Sequence, residues 1–383
     1  MSTPPGFAAS NTKPNDSPDA LVGRLLDGRY RLDRVLSAGG MGLVYLATQM
    51  TVQRQVAIKI IKPTLARNND LVQRFMHEIE ISGRLSHPNI VALIDTGRDL
   101  NGLNFIVMEF VQGETFRDAL MHSRLSLLEI LHVFVQVCDA LIEAHELGII
   151  HRDLKFENIM ICRNRDNRIH TKVLDFGVAK QLFHDKELTR VGEIPGTPGI
   201  IAPELLDSVE PSAQSDLYSL GVLLFTSLTG RAPFEGETDF ELMRAHKMDD
   251  VPDLYRLVGD QVPEEIIELA YELMVKDPKA RPASAEAVRD RLEKIIRRLE
   301  RQMMDHPRYV PPAGAGLRPL QAPRVENLRS QEFQARPAPE DPLPEAVAPA
   351  SVVAVLIVIV MVLVVIVIYL LYQQHLALAQ PLP

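Results

Sequence analysis

Three short motifs in a fixed order constrain this chain more than any other feature of its sequence. Val-Ala-Ile-Lys ends at Lys59, His-Arg-Asp-Leu-Lys-Phe-Glu-Asn occupies 151–158, and Asp-Phe-Gly occupies 175–177. Their side chains supply a lysine that can hold phosphate groups, an aspartate that can orient a hydroxyl, and an amide and a carboxylate that can bind a metal ion. Each motif alone occurs often by chance, but the three in this order indicate a site that handles phosphate groups.

The composition is that of a folded, acidic protein. The 383 residues suffice for one large domain or two average ones, and 46% hydrophobic with 24% charged residues is typical of globular chains. A net charge of -9 argues against a dedicated nucleic-acid-binding protein, which usually has a basic surplus. The two cysteines, Cys138 and Cys162, imply no disulfide framework and suit a reducing cytosol.

The hydrophobic pattern changes from strand-like to helical near residue 111. Strand-like runs are predicted at 30–36, 43–48, 55–60, 90–96 and 105–110. One helical stretch, 71–85, interrupts them. Farther along, 130–147 places apolar residues on one helix face, and Cys138 lies on that stripe, where we expect it to be a core residue. A β-rich part followed by a helical part predicts an α+β domain with a ligand cleft between the two.

Two segments of different composition flank this domain, which we place at 29–303. Residues 1–28 have no apolar run like that of a signal peptide and are predicted to be a disordered tail. Residues 304–350 are rich in proline, which favours an extended spacer because proline disrupts helices and sheets. Docking of a partner to a PxxP-like stretch such as 339–342 is the less favoured alternative.

A long apolar run near the end of the sequence predicts a transmembrane helix at 351–372. The run has no charged residue, and as a helix it would be about 32 Å long, which matches the thickness of a hydrocarbon core, about 30 Å. The alternative, a buried β-strand, would far exceed the usual strand length. Arginines precede the run and neither Lys nor Arg occurs in the short tail 373–383, which favours a tail anchor with the domain in the cytoplasm.

Taken together, the three motifs resemble those of the eukaryotic-type protein kinase family. Within that family the chain is similar to the bacterial membrane-anchored serine/threonine kinases, on the basis of Gly-Gly-Met-Gly at 39–42 and the apolar run at 351–372. The resemblance covers the domain at 29–303 and neither tail. It implies a bilobal fold of α+β class, with a β-rich N-lobe and an α-helical C-lobe, followed by the C-terminal transmembrane helix.

The resemblance also implies an ATP site in which a glycine-rich turn covers the phosphates. The family pattern is G-x-G-x-x-G-x-V, and here its first glycine is replaced by Ser37. A turn without a ligand is the alternative for this segment, and no P-loop sequence is present. The residues implied to form the ATP site are Leu36, Ser37, Gly39, Gly40, Gly42, Val44, Ala57, Lys59, Glu78, Met108, Glu109 and Val111.

Within that set, Lys59 would contact the α- and β-phosphates. Glu78, on the predicted helix 71–85, matches the carboxylate that holds this lysine, and Glu80 is the competing candidate, turned about 200° away on the helix. Met108 would stand beside the adenine pocket as gatekeeper. The backbone of Glu109 and Val111 would bond the edge of the adenine.

For the chemistry, the resemblance assigns four side chains. Asp153 would accept a hydrogen bond from the substrate hydroxyl and orient it for in-line attack, and Lys155 would neutralise charge on the transferred phosphoryl group. Asn158 and Asp175 would bind Mg²⁺. Lysine at position 155 is typical of the serine/threonine-specific branch of the family.

Three residues depart from the family pattern. Ser37 is expected to stiffen or lift the glycine-rich loop, and Phe156, where proline is usual, is expected to change local packing without loss of chemistry. Ile200 stands where tyrosine is frequent, which leaves the adjoining substrate-docking surface undefined. His151 is expected to be a structural packing residue, because the histidines show no paired metal spacing.

Two threonines are candidates for regulation. Arg152 precedes Asp153, an arrangement that in the family accompanies control by a phosphorylated activation loop. Thr197 matches the threonine that contacts the catalytic aspartate and lysine, which leaves Thr189 as the better autophosphorylation site, since Arg152 could pair with its phosphate.

Three further matches concern the scaffold of the helical lobe. Asp216 resembles the residue at a helix start that bonds the catalytic-loop backbone. Glu204 and Arg281 resemble the buried ion pair of this lobe, whose disruption should cost about 3–5 kcal/mol.

The resemblance as a whole favours an ATP- and Mg²⁺-dependent serine/threonine protein kinase that acts on protein substrates at a membrane. A pseudokinase that signals through nucleotide-dependent conformation is the alternative, favoured by the three departures. A small-molecule or lipid kinase is a third class, disfavoured by Gly-Thr-Pro at 196–198 and Ala-Pro-Glu at 202–204. Self-association in the membrane would promote trans-autophosphorylation by raising the effective concentration.

Overall fold

The structure is a computed structural model that describes residues 18–38, 42–61, 79, 83–99, 102–122, 124–176, 198–207 and 209–305. Four predicted segments lie mostly or wholly outside these ranges: most of the helix 71–85, the tail before residue 18, the spacer beyond 305 and the apolar run 351–372. The tail does not extend to residue 28 as predicted: Pro18–Leu21 forms a 3₁₀ turn, and Leu25–Leu26 pairs with the strand Tyr30–Ala38 because Leu26 is buried in the core of the sheet. The boundaries of the other segments stay predictions. Within the described ranges, no helix combines the length and the apolar character needed to cross a membrane.

The first part of the domain is a six-stranded antiparallel sheet with neighbours in the order β1-β2-β3-β4-β6-β5. The strands are β1 (Leu25–Leu26), β2 (Tyr30–Ala38), β3 (Gly42–Gln49), β4 (Arg54–Ile61), β5 (Leu93–Arg98) and β6 (Asn104–Glu109). Alternate apolar residues of β2, β3, β4 and β6 form its core, including Tyr30, Tyr45, Ile58, Phe105 and Val107. This alternation is the period-two pattern of a half-buried sheet.

Four of the five strands predicted from the sequence differ from the observed ones by no more than two residues at either end. The fourth, predicted at 90–96, begins only at Leu93. Ile90 instead forms an isolated parallel bridge with Val173, in which the Val91 N–H donates to the Val173 carbonyl at 3.0 Å and the Val173 N–H to the Asn89 carbonyl at 2.8 Å. The apolar residues at 90 and 91 therefore join the sheet to the helical part.

The second part of the domain is mostly helical. Its helices are α1 (Phe116–Met121), α2 (Leu127–Glu146), α3 (Ala213–Thr229), α4 (Asp239–Met248), α5 (Leu254–Val258), α6 (Glu264–Leu273) and α7 (Ala285–Asp305). A small sheet of β7 (Glu114–Thr115), β8 (Ile159–Arg163) and β9 (Ile169–Val173) packs beside α2. Ser126 and Glu129 form a capping box that begins α2 three residues earlier than the predicted start at 130.

A second apolar core, separate from that of the large sheet, fills the helical part. Cys138 is fully buried in it, as the apolar stripe of α2 predicts, and burial raises the pKa of its thiol. The central helix α3 is buried along nearly all its length, and Gly221 is required there because a Cβ would approach Leu273 Cβ to 2.6 Å. Two cores and two kinds of secondary structure confirm the expected bilobal α+β architecture.

Candidate active site

The motif at 151–158 forms a tight turn between α2 and β8 that gathers polar side chains. A short 3₁₀ turn, Phe156–Asn158, ends the motif. Lys155 Nζ donates to Asp153 Oδ2 at 2.8 Å, and Asn158 Nδ2 donates to the Asp153 carbonyl oxygen at 2.8 Å. The structure thus brings the predicted hydroxyl-orienting carboxylate, its neighbouring cation and one predicted metal ligand into direct contact.

Lys59 and Asp175 meet across the boundary between the two lobes. Lys59 lies on β4, opposite Val44 of β3 and Ile106 of β6. Its Nζ lies 2.9 Å from Asp175 Oδ2 in a partly exposed ion pair. Asp175 has φ 51°, a left-handed conformation that is uncommon for a non-glycine residue and clusters at functional sites.

The donor set fits a magnesium ion. Because the Nδ2 of Asn158 is used on the Asp153 carbonyl, its amide oxygen faces away from that bond and can act as a ligand. Asp175 supplies a carboxylate, and the Leu174 N–H donates to the Asn158 carbonyl at 2.8 Å, which links the two ligands through the backbone. No three His, Cys, Asp or Glu side chains cluster as a metal site in the part of the chain that the structure describes. A Mg²⁺ ion held with ATP needs only one or two protein ligands, because phosphates and water complete its shell.

His151 contacts both the catalytic turn 151–158 and the Asp-Phe-Gly motif that begins at Asp175. It has no exposed surface, and its Nε2 lies 3.0 Å from the Leu174 carbonyl oxygen while its ring packs on Phe176 at 4.6 Å. The Asp153 N–H donates to its Nδ1 at 3.3 Å. Burial lowers the pKa of His151, which keeps the ring neutral in its packing role.

Asp216, in the first turn of α3, fixes the backbone of the same turn. Its carboxylate accepts hydrogen bonds from the His151 N–H at 2.8 Å and the Arg152 N–H at 3.0 Å. His145 Nε2 lies 2.8 Å from the same carboxylate. Arg152 adopts φ 64°, so these bonds hold a strained residue immediately before Asp153.

Glu204 and Arg281 form a buried bidentate ion pair, with both N–O distances 2.8 Å. The remaining donors of Arg281 bond backbone carbonyls of Val275, Gln214 and Lys276. Ser215 Oγ donates to Glu204 at 2.9 Å. Every charge of the pair is thus compensated inside the helical lobe.

At the junction after β6, the structure limits how the backbone can bind a ligand. The Glu109 N–H donates to the Ala92 carbonyl at 2.9 Å, so only the carbonyl of Glu109 could meet an adenine edge. Met108 stands opposite Ala57 of β4, on the predicted adenine side. Val111 follows outside any strand or helix.

Two polar contacts near the site were not anticipated from the sequence. Lys172 Nζ donates to the Glu109 carboxylate at 2.7 Å and ties β9 to the interlobe junction, and His145 supports Asp216. In each contact the two residues are far apart in the sequence, by 63 and 71 residues, so no local sequence pattern predicts either contact.

The glycine-rich turn is described only at its two ends. Ser37 pairs with Val44, Ala38 pairs with Leu43, and Leu36 and Gly42 belong to the strands on either side. Ser37 is therefore a strand residue and exposed. The site residues that fall outside the described ranges are Gly39, Gly40, Glu78, Thr189 and Thr197.

The two other departures from the family pattern are accommodated by packing. Phe156 is buried and its ring lies 5.3 Å from that of Phe116, within the aromatic core of the helical lobe. Ile200 is half-buried against the same core, and its carbonyl accepts from Ser219 Oγ at 3.1 Å. Neither residue disturbs the contacts of Asp153.

The profile of the protein kinase domain family matches residues 30–292. Serine/threonine-protein kinase pkn3 of Myxococcus xanthus is 35% identical over 308 residues, which are 79% of this chain and 56% of that protein. Serine/threonine-protein kinase PrkC of Bacillus subtilis is 35% identical over 267 residues, 70% of this chain and 40% of that protein. The chain thus spans about half or less of the length of these relatives.

Solved structures agree on the fold. The crystal structure of the Mycobacterium tuberculosis PknI kinase domain has a TM-score of 0.54 at 24% identity and covers 71% of this chain and 98% of that one. A crystal structure of Rad53 in complex with AMP-PNP has a TM-score of 0.56 at 27% identity, covering 68% of this chain and 63% of that one. The bilobal fold, the contacts among Lys59, Asp153, Asn158 and Asp175, and the match over 30–292 lead to one conclusion: this chain belongs to the protein kinase domain family.

Proposed function

We propose that this chain transfers the γ-phosphoryl group of ATP to serine or threonine hydroxyls of proteins. The observation that carries the proposal is the contact of Asp153 with Lys155 and Asn158, on a turn that hydrogen bonds to the residue before Asp175. Relatives named serine/threonine-protein kinases share 35% of its residues over most of the chain. The AMP-PNP bound by Rad53 supports a nucleotide as the ligand of this cleft.

ATP would enter the cleft with its phosphates toward Lys59. The Lys59 ammonium is now paired with Asp175, and nucleotide phosphates offer it a more strongly charged partner. A Mg²⁺ ion bound together with ATP would neutralise the negative charge of the phosphate groups. Asn158 and Asp175 would hold that ion, since they present an amide oxygen and a carboxylate, which are hard ligands of the kind Mg²⁺ prefers.

The transfer itself would use Asp153 and Lys155. The acceptor hydroxyl oxygen bonds to the γ-phosphorus as the bond from that phosphorus to the bridging oxygen of ADP breaks, and the hydroxyl proton passes to the Asp153 carboxylate. Lys155, 2.8 Å from that carboxylate, places a positive charge where the transferred group gains negative charge. Apart from this proton transfer, the protein would contribute positioning of the reactants and electrostatic stabilisation.

The experiment is phosphate transfer from ATP to dephosphorylated casein with Mg²⁺, beside Asp153→Asn and Lys59→Met variants. We expect phosphoserine or phosphothreonine in the product, and both substitutions should reduce its formation by about 10²-fold or more. ATP binding without transfer by the unaltered chain would contradict the proposal and support the pseudokinase alternative. Label on an added lipid or small molecule but not on casein would contradict the choice of protein substrates.

We further propose that the apolar run 351–372 holds the kinase domain at the cytoplasmic face of a membrane. Its length, its lack of charge and the arginines before it support this proposal. The test is extraction of cell membranes with alkaline carbonate, beside a variant in which three residues of the run are replaced by arginine. Release of the unaltered chain by carbonate would contradict an integral span.

Association of chains in that membrane would favour autophosphorylation in trans, with Thr189 as the acceptor. The motif order and the position of Arg152 before Asp153 support this part of the proposal. Phosphosite mapping of cells that express the unaltered chain or the arginine-substituted run provides the test. We expect phosphate on Thr189 to fall with the substitution, and equal occupancy would count against control by the membrane.

A further inference from the structure

The helix α7, the last helix that the structure describes, has one apolar side and one basic side. The residues that it buries in the core of the helical lobe are Ala285, Val288, Leu292, Ile295, Ile296 and Leu299. Four exposed residues form what we call the basic face: Lys294, Arg297, Arg298 and Arg301. At about 100° per residue, these four side chains occupy roughly 100° of the helix surface, on the side away from the buried residues.

Two cations of the basic face have carboxylate partners and two do not. The pairs are Arg297 with Glu293 and Arg298 with Glu265 of α6. Among the residues that the structure describes, no carboxylate forms an ion pair with Lys294 or Arg301. Asp290 and Asp305 are in line with the face, but each lies about one turn beyond one of its ends. The basic face therefore keeps positive charge that the fold does not use, in a chain whose net charge is -9.

The helix α7 precedes the apolar run that we propose to span the membrane, and residues 306–350 separate the two. At about 3.1 Å per residue, an extended spacer of that length reaches roughly 140 Å. The tether alone would therefore not keep the domain at the membrane surface. Residues 306–336 contain five arginines and two acidic residues, so the positive charge of α7 continues along the sequence toward the run.

An anionic membrane surface is the partner that this charge distribution fits. Each Lys or Arg near such a surface strengthens binding by about fivefold. Two uncompensated cations are too few for tight binding by a free protein, but a tethered domain meets the surface at a high effective concentration. Met304, 79% exposed at the edge of the basic face, adds an apolar side chain that can enter the headgroup region.

We propose that the basic face of α7 binds anionic lipid headgroups and holds the kinase domain against the membrane that the run 351–372 spans. The inference rests on the proposed membrane span and adds to it the side of the domain that meets the lipid. It requires no contact between α7 and the nucleotide or the protein acceptor.

The test uses the full chain in lipid nanodiscs of phosphatidylcholine, or of equal parts phosphatidylcholine and phosphatidylglycerol. A water-soluble acetylating reagent modifies exposed lysines, and mass spectrometry of the peptides gives the rate at each lysine. Lys294 reports on the basic face. Lys279, in the exposed turn Pro278–Ala280, is the internal control.

Two double variants with the same loss of charge complete the design. Arg297→Gln with Arg301→Gln removes two cations of the basic face and keeps Lys294 as the reporter. Arg244→Gln with Arg256→Gln removes two exposed cations of α4 and α5 and is the matched control.

We expect phosphatidylglycerol to slow acetylation of Lys294 by about fivefold or more, and that of Lys279 by less than about twofold. In the variant of the basic face, the slowing at Lys294 should fall below about twofold, whereas in the matched control it should persist. Equal acetylation of Lys294 in the two lipids would overturn the inference, and so would slowing that persists without Arg297 and Arg301.

Two further outcomes separate this inference from others. Slowing at Lys294 that grows with protein concentration in phosphatidylcholine alone would indicate a contact between copies of the chain and contradict a lipid partner. Failure of the unaltered chain to enter discs of phosphatidylcholine would contradict the proposed span. In that case, binding to discs with phosphatidylglycerol that depends on Arg297 and Arg301 would support the basic face, and no binding would overturn it.

Discussion

The cleft and the interior of the helical lobe both contain ion pairs, but the two are built for different purposes. Lys59 and Asp175 keep 15% and 37% of their side-chain surface exposed and meet through one distance, 2.9 Å. Arg281 is fully buried and Glu204 nearly so, and the pair is bidentate with further bonds to three carbonyls and a serine. The first pair can exchange partners and the second cannot.

This difference separates residues that bind a ligand from residues that hold the fold. A partly exposed ion pair contributes little to the stability of the fold. Its residues can therefore serve ligand binding without a large cost in stability. A buried pair costs desolvation of both charges and becomes strongly destabilising when one member is lost. Charge alone does not distinguish the two classes, whereas burial and the number of satisfied donors do.

The largest expected effect is on stability at the buried pair. Arg281→Met should lower the free energy of unfolding by about 3–5 kcal/mol, because Glu204 would keep a buried, unpaired charge. Arg297→Met, which breaks the exposed pair with Glu293, is the matched control and should change it by less than about 1 kcal/mol. Urea unfolding followed by circular dichroism measures both. An equal loss of unfolding free energy in the two variants would contradict the difference between the buried and the exposed ion pair.

Lys59→Met should show the opposite pattern. Loss of the cation should reduce kcat/KM for phosphate transfer by about 10²–10³, as expected when a preorganised charge is removed, and leave the free energy of unfolding within about 1 kcal/mol. Lys279→Met, at an exposed turn, should leave both unchanged. Steady-state kinetics and unfolding of the same preparations provide the comparison, and a large loss of stability in Lys59→Met would contradict it.

A pH effect should come from the buried histidines of the helical lobe. The pKa of His246 is about 4 in the folded chain against an ordinary value of 6.5, so between these values the unfolded chain binds a proton that the folded chain does not. Stability should therefore fall as the pH drops from 6.5 toward 4, by up to roughly 3 kcal/mol from this residue. His151, whose pKa is also lowered, acts in the same direction. In thermal unfolding, the Tm of His246→Asn should fall less steeply than that of the unaltered chain as the pH drops from 6.5 toward 4. An equally steep fall would contradict the assignment of this pH effect to His246.

The smallest effect is expected at the glycine-rich turn. Ser37 is exposed on β2 and pairs with Val44. Ser37→Gly should lower the KM for ATP by about twofold to threefold through closer backbone approach, and cost about 0.5–1 kcal/mol of stability because glycine weakens a strand. A calorimetric titration with AMP-PNP measures the change in nucleotide affinity, and an unfolding curve measures the change in stability. A tenfold or larger gain in affinity would show that Ser37 impairs the nucleotide site more than its position suggests.

The sequence allowed the active-site turn to be predicted better than its surroundings. Lys59, Asp153, Asn158 and Asp175 belong to motifs whose residue types follow from phosphate chemistry, and the structure brings them together in pairs. The apolar residues at alternate positions of β3 and β4 likewise predict the side of the sheet that faces its core, which contains Tyr45, Ala47, Val56, Ile58 and Ile60. Both kinds of signal are local, because they depend on residue type and spacing alone.

The remaining features depend on contacts between distant residues. Ile90 reads as part of a strand because it is β-branched and apolar, yet it bridges to Val173 of the other lobe. Lys172 and His145 acquire their roles only from carboxylates that the fold delivers to them. Single-sequence patterns contain no information about such partners, which tertiary packing decides.

The most direct test of the account is phosphate transfer to casein by the unaltered chain and by Asp153→Asn, with the Tm of each measured in the same buffer. We expect phosphoserine or phosphothreonine with the unaltered chain and a loss of about 10²-fold or more with Asp153→Asn. The Tm values should agree closely, since the Asp153 side chain keeps 21% of its surface exposed. Transfer that persists undiminished in Asp153→Asn would contradict the central claim that this carboxylate orients the acceptor hydroxyl.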